Sequence, residues 1–370
     1  MIRLDSLTKT FETPHGPVTA VDDVSFDLPN GEICVLLGPS GCGKTTTMKM
    51  INRLIVPTRG KIFIDGKDTD TIDPIQLRRS IGYVIQQIGL FPNQTVSDNI
   101  CVVPDLLGWN KKKSRARAAE LLELVGMDPA LFLDRYPRQL SGGQQQRIGV
   151  LRALAADPPV MLMDEPFGAI DPINREVIQD EFLRMQDKLR KTVIFVSHDL
   201  DEAVKMADKI AIFRAGRLEQ FASPDQLLAR PANPFIETFL GSDRVLKRLR
   251  RMQAIDALAI DVPTVRRDEP VARAQALLAA DRHAAVLVLD AESRVLGVVS
   301  DIRSGGGTCG EHAEPLPHGV QGKADLRSAI TLMFSHGVTT LPCLDEEGRL
   351  RGALTYRSIV RSLSTPGVAA

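Results

Sequence analysis

Residues 38–45 have the sequence Gly-Pro-Ser-Gly-Cys-Gly-Lys-Thr, and this stretch decides which fold the chain can adopt. It directly follows a continuous apolar run, Ile-Cys-Val-Leu-Leu, at 33–37. Glycines at this spacing before Lys-Thr are typical of a loop between a buried strand and a helix, where backbone N–H groups wrap phosphates. The alternative is a glycine turn that precedes a lysine by chance, which the flanking strand and helix patterns disfavour. The sequence therefore predicts a nucleotide-binding loop.

The polar side chains of this loop have predicted partners on ATP. Lys44 offers a point charge to the β- and γ-phosphate oxygens, and Thr45 offers a hydroxyl group to Mg²⁺. Cys42 is expected to be a small filler whose alkylation blocks ATP binding. We expect ATP to contact the loop and the residue after it: Gly38, Pro39, Ser40, Gly41, Cys42, Gly43, Lys44, Thr45 and Thr46.

Two further apolar runs, 160–163 and 193–196, are continuous, as expected of strands buried on both faces of a parallel sheet. Amphipathic stretches, for example 114–125 and 176–189, lie between the apolar runs. Alternating strands and helices predict an α/β fold, in which ligands bind beyond the carboxyl ends of the strands. The residues that follow each run are therefore candidate site residues.

Two acids and a histidine occupy those positions. Asp164 and Glu165 end the second run, and His198 follows the third. Asp164 is placed to hold Mg²⁺ through water, Glu165 to deprotonate an attacking water, and His198 to reach the γ-phosphate. Acids after a strand are often only a turn or a helix cap, and a lone histidine is often structural. The phosphate loop on the same sheet favours the catalytic interpretation.

Residues 140–147, Leu-Ser-Gly-Gly-Gln-Gln-Gln-Arg, predict a second phosphate-binding end. Ser141 and Gln144 have the spacing of a capping box, so a helix with free N–H groups begins here. The Gly-Gly surface admits close approach by a ligand. A plain capped helix explains the serine but not the glycines. Because the loop at 38–45 already holds one set of phosphates, this end makes sense if it serves the ATP of another subunit.

With this string the chain resembles the ATP-binding subunits of ATP-binding-cassette (ABC) transporters over about residues 1–240. In that family two copies enclose two ATP molecules, each between the phosphate loop of one chain and the LSGGQ helix of the other. The resemblance implies a P-loop NTPase fold, a homodimer or paired cassette, and membrane permease subunits as partners. It also implies a peripheral position on the cytoplasmic face of the membrane.

The resemblance assigns further roles residue by residue. Phe11 corresponds to the aromatic that stacks on adenine, and Gln86 to the glutamine that senses Mg²⁺ and water and touches the permease. Residues 168–171, Gly-Ala-Ile-Asp, correspond to the loop that signals across the dimer, with Ile170 where leucine is commoner. Apolar residues at 88–92 are a candidate dock for the permease, although core packing is an equal alternative. The implied ATP contacts of this part of the chain are Ser141, Gly142, Gly143, Gln144 and Asp171.

The α/β pattern fades after residue 240, and the C-terminal part repeats itself. A shift of 55 positions places Asp290 on Asp345 and Gly297 on Gly352 without a gap. Such small units bury little surface alone, so the two copies should pack together. They resemble a tandem pair of CBS (cystathionine-β-synthase) modules with an α+β fold. We expect a nucleotide-binding domain at 1–240, a helical linker at 241–256, CBS modules at 257–311 and 312–363, and a tail at 364–370.

The CBS pair invites a ligand hypothesis, which the sequence weakens. Adenosine sites of the family place an aspartate three residues after Ser or Thr, but Ser300 is followed by Arg303 and Thr355 by Ser358. A structural or ionic sensing role is therefore favoured over nucleotide binding. His312 and His318 lack a carboxylate or thiol cluster that would make a metal site.

Three segments indicate a subgroup of the family. Residues 50–54, 85–92 and 103–109 are similar in sequence to the ATP-binding subunits of importers of glycine betaine, choline and carnitine. The resemblance implies a separately encoded solute-binding protein, which would carry the aromatic cage for the cation. Three alternatives stay open. They are an importer of another solute such as a sulfonate or amino acid, a soluble cassette ATPase, and a nucleotide sensor with vestigial hydrolysis.

The composition of the chain limits the kinds of partner that it is expected to bind. The 370 residues carry a formal net charge of zero, so no long-range attraction to nucleic acid or anionic lipid is expected. The five scattered cysteines include no Cys-x-x-Cys pair, which disfavours disulfides and zinc. No signal peptide and no apolar window of about 20 residues is found, so contact with a membrane is expected through a docked partner.

Overall fold

The computed structural model describes residues 2–86, 89–168, 170–259, 261–280, 285–299, 306–316 and 319–364. The chain divides into two compact units, Met1–Leu227 with Pro231–Phe239, and Leu228–Arg230 with Leu240–Ala370.

The strands of the described residues are β1 (Ile2–Thr13), β2 (Gly16–Leu28), β3 (Ile33–Leu37), β4 (Arg59–Ile64), β5 (Lys67–Asp68), β6 (Ile81–Val84), β7 (Val160–Asp164), β8 (Thr192–Val196), β9 (Lys209–Arg214), β10 (Arg217–Ala222), β11 (Thr264–Arg266), β12 (Val286–Leu289), β13 (Val295–Val299), β14 (Val320–Gln321), β15 (Thr340–Leu344) and β16 (Leu350–Thr355). The α-helices are α1 (Lys44–Ile51), α2 (Pro74–Arg79), α3 (Val96–Leu106), α4 (Lys111–Leu124), α5 (Pro129–Phe132), α6 (Gly142–Leu154), α7 (Pro172–Leu189), α8 (Leu200–Met206), α9 (Pro224–Ala229), α10 (Pro234–Leu240), α11 (Arg244–Arg251), α12 (Val271–Ala280), α13 (Leu326–His336) and α14 (Tyr356–Ser364).

A six-stranded sheet forms the centre of the first unit, in the order β10-β9-β3-β8-β7-β6. Its strands are parallel except for β10, which pairs antiparallel with β9. Every residue of β3, β7 and β8 is buried, which confirms the prediction from their continuous apolar runs. These three strands carry the loop and side chains predicted to bind and hydrolyse ATP.

A second, four-stranded antiparallel sheet has the order β2-β1-β4-β5. One apolar cluster joins it to the six-stranded sheet, for example through Leu4 and Phe26 on one side and Leu36 and Val196 on the other. The Phe26 ring also stacks on Phe221 of β10, with ring centroids 5.0 Å apart. Cys34 and Leu36 of β3 belong to this core, which therefore holds the strand that leads into the phosphate loop.

The predicted amphipathic helices are present but begin earlier than their apolar periodicity indicates. Helix α4 starts at Lys111 because the Asn110 side chain accepts the backbone N–H of Lys112 and caps the helix. Helix α7 starts at Pro172, and proline is favoured in the first turn of a helix. No helix of the described residues is long and apolar enough to cross a membrane.

Two copies of one small motif make up most of the second unit. In each, a short strand pairs parallel with a central strand, which pairs antiparallel with a third: β11-β12-β13 and β14-β15-β16. Leu287 and Val298 of the first copy share an apolar cluster with Leu350 and Ala353 of the second. The prediction that the copies pack together is confirmed.

The segment expected to be a linker is helical, but it also packs within the second unit. Leu249 of α11 belongs to the apolar core of the second copy, together with Leu326 and Leu354. Arg248 is buried beside it and donates to the carbonyl oxygen of Leu363. The segment expected to be a linker therefore belongs to the second compact unit.

Candidate active site

Four neighbouring strands bring the predicted catalytic residues to one edge of the six-stranded sheet. Strand β3 leads into the phosphate loop, β8 is followed by His198, β7 by Glu165, and β6 by Gln86. Because the strands are parallel and adjacent, their carboxyl ends meet at the same edge. Residues that are 79 positions apart in sequence, Gln86 and Glu165, thereby come within hydrogen-bond distance.

Steric constraints explain the glycines that shape the phosphate loop. A Cβ atom at Gly38 would lie 2.3 Å from the carbonyl oxygen of Phe213, and one at Gly43 would lie 2.4 Å from that of Ala20. Both glycines also have positive φ angles, 148° and 103°, which disfavour larger residues. The loop can therefore approach its neighbours closely and begin α1 directly at Lys44.

The Lys44 side chain is folded into the loop and is only 7% exposed. Its Nζ atom donates to the carbonyl oxygens of Gly38 and Pro39, at 2.7 and 2.9 Å, and lies 3.6 Å from the Cys42 sulfur. Among the described residues, no carboxylate lies within ion-pair distance of this ammonium group. A buried cation compensated only by carbonyl dipoles makes the loop a favourable place for an anion.

Hard oxygen donors lie beside the loop. Thr45 Oγ1, in the first turn of α1, donates to Oδ1 of Asp164, the last residue of β7, over 3.2 Å. Burial raises the pKa of Asp164, against the opposing effects of the Thr45 hydrogen bond, Lys49 and Lys44. Hydroxyl and carboxylate oxygens are ligands that Mg²⁺ prefers, and a cation there would favour the charged form of Asp164. The residues present therefore fit the predicted Mg²⁺ site.

The Glu165 carboxylate is the centre of the cluster. Gln86 Nε2 donates to Oε2 at 2.9 Å, and His198 Nδ1 lies 3.5 Å from Oε1. The backbone of Glu165 has a φ of 45°, in the left-handed region, and its N–H donates to the carbonyl oxygen of Val196. Strain of this kind persists where the surrounding structure over-determines it. A carboxylate oriented by an amide and an imidazole can accept a proton from water.

The helix predicted from residues 140–147 begins as expected. Ser141 is the N-cap of α6; its side chain accepts the Gln144 N–H, and the Gln144 side chain accepts the Ser141 N–H. A Cβ atom at Gly142 would meet nothing within 4 Å. The chain's own packing therefore does not require glycine at this exposed position.

Several polar residues that the sequence analysis missed tie α6 and α7 to the strand ends. The buried Gln146 side chain donates to the carbonyl oxygen of Pro166, directly after Glu165. Arg147 pairs with Glu181 of α7 at 2.8 Å. Arg175 donates to the carbonyl oxygen of Ile170 at 3.0 Å and lies 3.6 Å from Asp199. Among them Gln146 is buried, whereas Arg147, Arg175 and Glu181 are partly exposed and look in sequence like ordinary polar surface residues.

Other predicted site residues make no described contact with the cluster around Glu165. Phe11 lies in β1 with its ring 37% exposed, 5.0 Å from Lys9 Nζ. Asp171 immediately precedes α7, where its carbonyl oxygen accepts the Arg175 N–H. Ala169 lies outside the described residues.

The candidate docking segment is only partly described, because residues 87 and 88 lie outside the described ranges. Leu90 is half-buried, whereas the Phe91 ring is 45% exposed, so core packing does not account for the phenylalanine. Asn99 accepts the Phe91 N–H and donates to its carbonyl oxygen, at 2.8 and 3.1 Å. The segment is thus held in place with an apolar side chain facing outward.

In the second unit, the positions considered for adenosine make local contacts. The Thr355 N–H donates to Ser358 Oγ and the Ser358 N–H to Thr355 Oγ1, each over 3.0 Å, at the start of α14. Ser300, Arg303 and His318 lie outside the described residues. The ring of His312 lies 3.3 Å from the carbonyl oxygen of Gly306. No group of three or more metal-binding side chains was found within the described ranges.

Comparison with known proteins gives matches to both units. Residues 21–168 match the family model described as ABC transporter, and residues 255–302 and 317–365 match the CBS domain model. The chain is 52% identical to the osmoprotectant import ATP-binding protein OsmV of Salmonella typhimurium, covering 99% of this chain and 97% of that protein. It is 45% identical to the glycine betaine/carnitine/choline transport ATP-binding protein OpuCA of Bacillus subtilis, covering 97% and 95%.

Among solved structures, the ATP-binding cassette MJ0796 is similar to this chain. Its dimeric post-hydrolysis state bound to ADP and Pi has a TM-score of 0.55 and 33% sequence identity, and the match covers 60% of this chain and 98% of that one. The cassette fold predicted for the N-terminal part of the chain is confirmed.

Proposed function

Since the chain belongs to the ABC transporter family, as an ATPase with a C-terminal pair of CBS domains, we propose that it energises the import of osmoprotectants such as glycine betaine, carnitine or choline. The proposal of these solutes is supported by relatives that match along almost their whole length. An importer of a sulfonate or of another amino acid remains the rival that a transport measurement must exclude.

The observation that carries the hydrolytic mechanism is the convergence of Gln86 and His198 on Glu165, beside the buried ammonium of Lys44. In the proposed reaction, the loop N–H groups and Lys44 hold the β- and γ-phosphates, and the phosphates replace the carbonyl partners of Nζ. Gln86 orients a water molecule, and Glu165 accepts its proton as the water oxygen attacks the γ-phosphorus. His198 donates toward the γ-phosphate oxygens, and ADP leaves.

Mg²⁺, when bound by Thr45 and Asp164 together with phosphate oxygens, would neutralise charge on the phosphates. The raised pKa of Asp164 fits this proposal, because burial disfavours the charged carboxylate and a bound cation would stabilise it. Gln86, which donates to Glu165 at 2.9 Å, is proposed to sense the bound metal and the attacking water. Phe11 is proposed to stack on the adenine ring.

A second copy of the cassette is proposed to complete each site. The exposed N-terminus of α6, with its capping serine and the sterically open Gly142, suits the phosphates of a nucleotide bound by another chain. Asp171 would belong to the same dimer interface. Permease subunits are proposed to dock near Phe91, and a solute-binding protein would deliver the cargo to them.

The experiment is reconstitution of the chain with its cognate permease and binding protein, followed by uptake of labelled solutes. We expect uptake of a quaternary amine that depends on ATP and is lost with Glu165→Gln, because removal of a general base lowers a rate by about 10²–10⁴-fold. Taurine and methionine serve as competing solutes. Saturable uptake of either of these, without uptake of any quaternary amine, would overturn the assignment of substrate.

A further inference from the structure

A buried carboxylate lies under the loop that carries His198. Glu202 of α8 is 7% exposed and accepts two hydrogen bonds, one on each oxygen. Gln179 Nε2 of α7 donates to Oε1 at 3.0 Å, and the Ser197 hydroxyl donates to Oε2. Gln179 and Ser197 are themselves buried. The proposed mechanism uses none of these three side chains.

The network fixes the backbone on both sides of His198. Ser197 donates its backbone N–H to the carbonyl oxygen of Leu36, and its Oγ accepts the N–H of Asp199 at 3.0 Å. Since Oγ already accepts from Asp199, its single proton is free to point to Glu202. Asp199 in turn accepts the N–H groups of Asp201 and Glu202 and so caps α8. The orientation of this turn therefore depends on an acceptor at Glu202.

Glu202 also faces the catalytic cluster. Glu165, His198, Arg175, Ser197 and Glu202 all line one small cavity. Burial of a carboxylate is costly unless its oxygens are satisfied, and apolar residues would pack this space more cheaply. Within the described ranges no cation lies within ion-pair distance of Glu202. The carboxylate of Glu202 is thus held by two neutral donors. This indicates that the positions of its two acceptor oxygens, rather than its charge, determine its role.

We propose that Glu202 is a positioning residue for the hydrolytic reaction: held by Gln179, it orients Ser197 and so keeps His198 beside Glu165. This inference rests on the proposed role of His198 and Glu165 in hydrolysis. It predicts that the pattern of donors and acceptors, rather than the negative charge itself, supports the reaction.

That pattern can be broken and restored within the network. Glu202→Gln should keep both hydrogen bonds: its oxygen still accepts from Ser197, and its amide donates to Gln179 once the Gln179 amide turns to present its oxygen. Gln179→Glu sets two acceptors against each other. In the double variant, Gln at 202 accepts from Ser197 through its oxygen and donates through its amide to Glu at 179. Both hydrogen bonds are then restored with the charge moved from α8 to α7.

The test measures kcat and KM for ATP with the full-length chain. A hydrogen bond to a charged group is worth about 1.5–3 kcal/mol, so Gln179→Glu should lose at least about tenfold in kcat, whereas Glu202→Gln should stay within about threefold of wild type. KM should change little because the phosphate loop is untouched. The double variant should recover kcat to within about threefold of wild type. The matched control is Glu176→Gln, an exposed acid one turn earlier on α7, which should leave both constants unchanged.

Three further measurements make every outcome informative. Thermal midpoints and binding of a fluorescent ATP analogue identify variants that fail to fold. Three outcomes would overturn the positioning role: wild-type kcat in Gln179→Glu, a loss of tenfold or more in a Glu202→Gln variant that folds and binds ATP, or a double variant that folds and binds ATP but does not recover kcat. Glu165→Gln, measured in parallel, tests the underlying mechanism: if that variant still hydrolyses ATP at the wild-type rate, the proposed catalytic base is wrong whatever Glu202 does.

Discussion

The strand-end edge of the first unit and the paired modules of the second are organised in opposite ways. At the edge, Lys44, Glu165 and Gln86 converge from the ends of separate strands, and each is of a different residue type. In the modules, the same arrangement of strands occurs twice, and the copies are joined by a shared apolar cluster. Chemistry thus depends on single residues in one region, whereas architecture depends on repeated packing in the other.

The largest expected effect is that of Lys44→Ala on ATP binding. Removing the buried ammonium that is proposed to bind phosphate should weaken ATP binding by about 10- to 100-fold, from the usual strength of charged hydrogen bonds. Titration with a fluorescent ATP analogue checks this, with Lys67→Ala on β5 as an exposed control. Saturable tight binding that survives in Lys44→Ala would place a nucleotide site outside the phosphate loop, with the CBS pair the first candidate. The assignment of nucleotide chemistry to the first unit and of repeated packing to the second would then be wrong.

Thiol modification should also distinguish the two regions. Alkylation of Cys42, which lies 3.6 Å from Lys44 Nζ, is expected to block ATP binding by filling the loop. Burial raises the pKa values of Cys309 and Cys343 in the second unit, so these thiols should react slowly. Cys101 in α3 of the first unit, whose pKa burial raises to about 11, should also react slowly and lies outside the phosphate loop. Equal sensitivity of Cys42→Ser and the wild type to N-ethylmaleimide would contradict this account.

A smaller effect is expected for Gly297→Ala in the first module, and it should fall on stability. The new Cβ atom would lie 2.5 Å from the backbone carbonyl oxygen of Glu314, whereas one at Gly306 would meet nothing within 4 Å. Overpacking of this kind costs about 1–3 kcal/mol. Calorimetry should therefore show a lower unfolding midpoint for Gly297→Ala than for Gly306→Ala, with unchanged ATPase activity in both. If Gly297→Ala lost ATP hydrolysis without losing stability, this module would contribute to the reaction, contrary to our account.

The smallest effect concerns the pH dependence of stability. Burial raises the pKa of Glu202 above 4.5, outweighing the hydrogen bonds from Ser197 and Gln179; nearby Asp199 raises it further and Arg175 lowers it. The folded chain therefore keeps a proton that the unfolded chain releases, and this contribution to stability is lost as pH rises from 4.5 through the folded pKa. In urea unfolding, the wild type should lose stability over that window relative to Glu202→Gln. A flat difference between the two curves would contradict the raised pKa.

Much of the fold and part of the site could be predicted from local patterns. Strands β3, β7 and β8 are continuous apolar runs, and the spacing of Ser141 and Gln144 indicated the cap of α6. The repeat was visible because a shift of 55 residues aligns Val271, the start of α12, with Leu326, the start of α13. These features depend on residues that are close in sequence or on a repeat within it, so they can be read from the sequence alone.

The features that could not be predicted depend on long-range pairing. Glu202 is separated by 23 residues from Gln179, and nothing in the periodicity of α7 indicates that their side chains meet. Likewise, the order of β6, β7 and β8 in the sheet had to be known before Gln86 and His198 could be placed on opposite oxygens of Glu165. Sequence patterns identified the strand ends, but strand order determined which of them touch.

The most direct test of the shared nucleotide site is the mass of Glu165→Gln in the presence of ATP, measured by sedimentation velocity. Slow hydrolysis should trap ATP between the phosphate loop of one chain and the α6 end of another, which gives a stable dimer that Ser141→Arg abolishes. If Glu165→Gln binds ATP but stays monomeric, while the wild type hydrolyses ATP at full rate as a monomer, the shared site is contradicted.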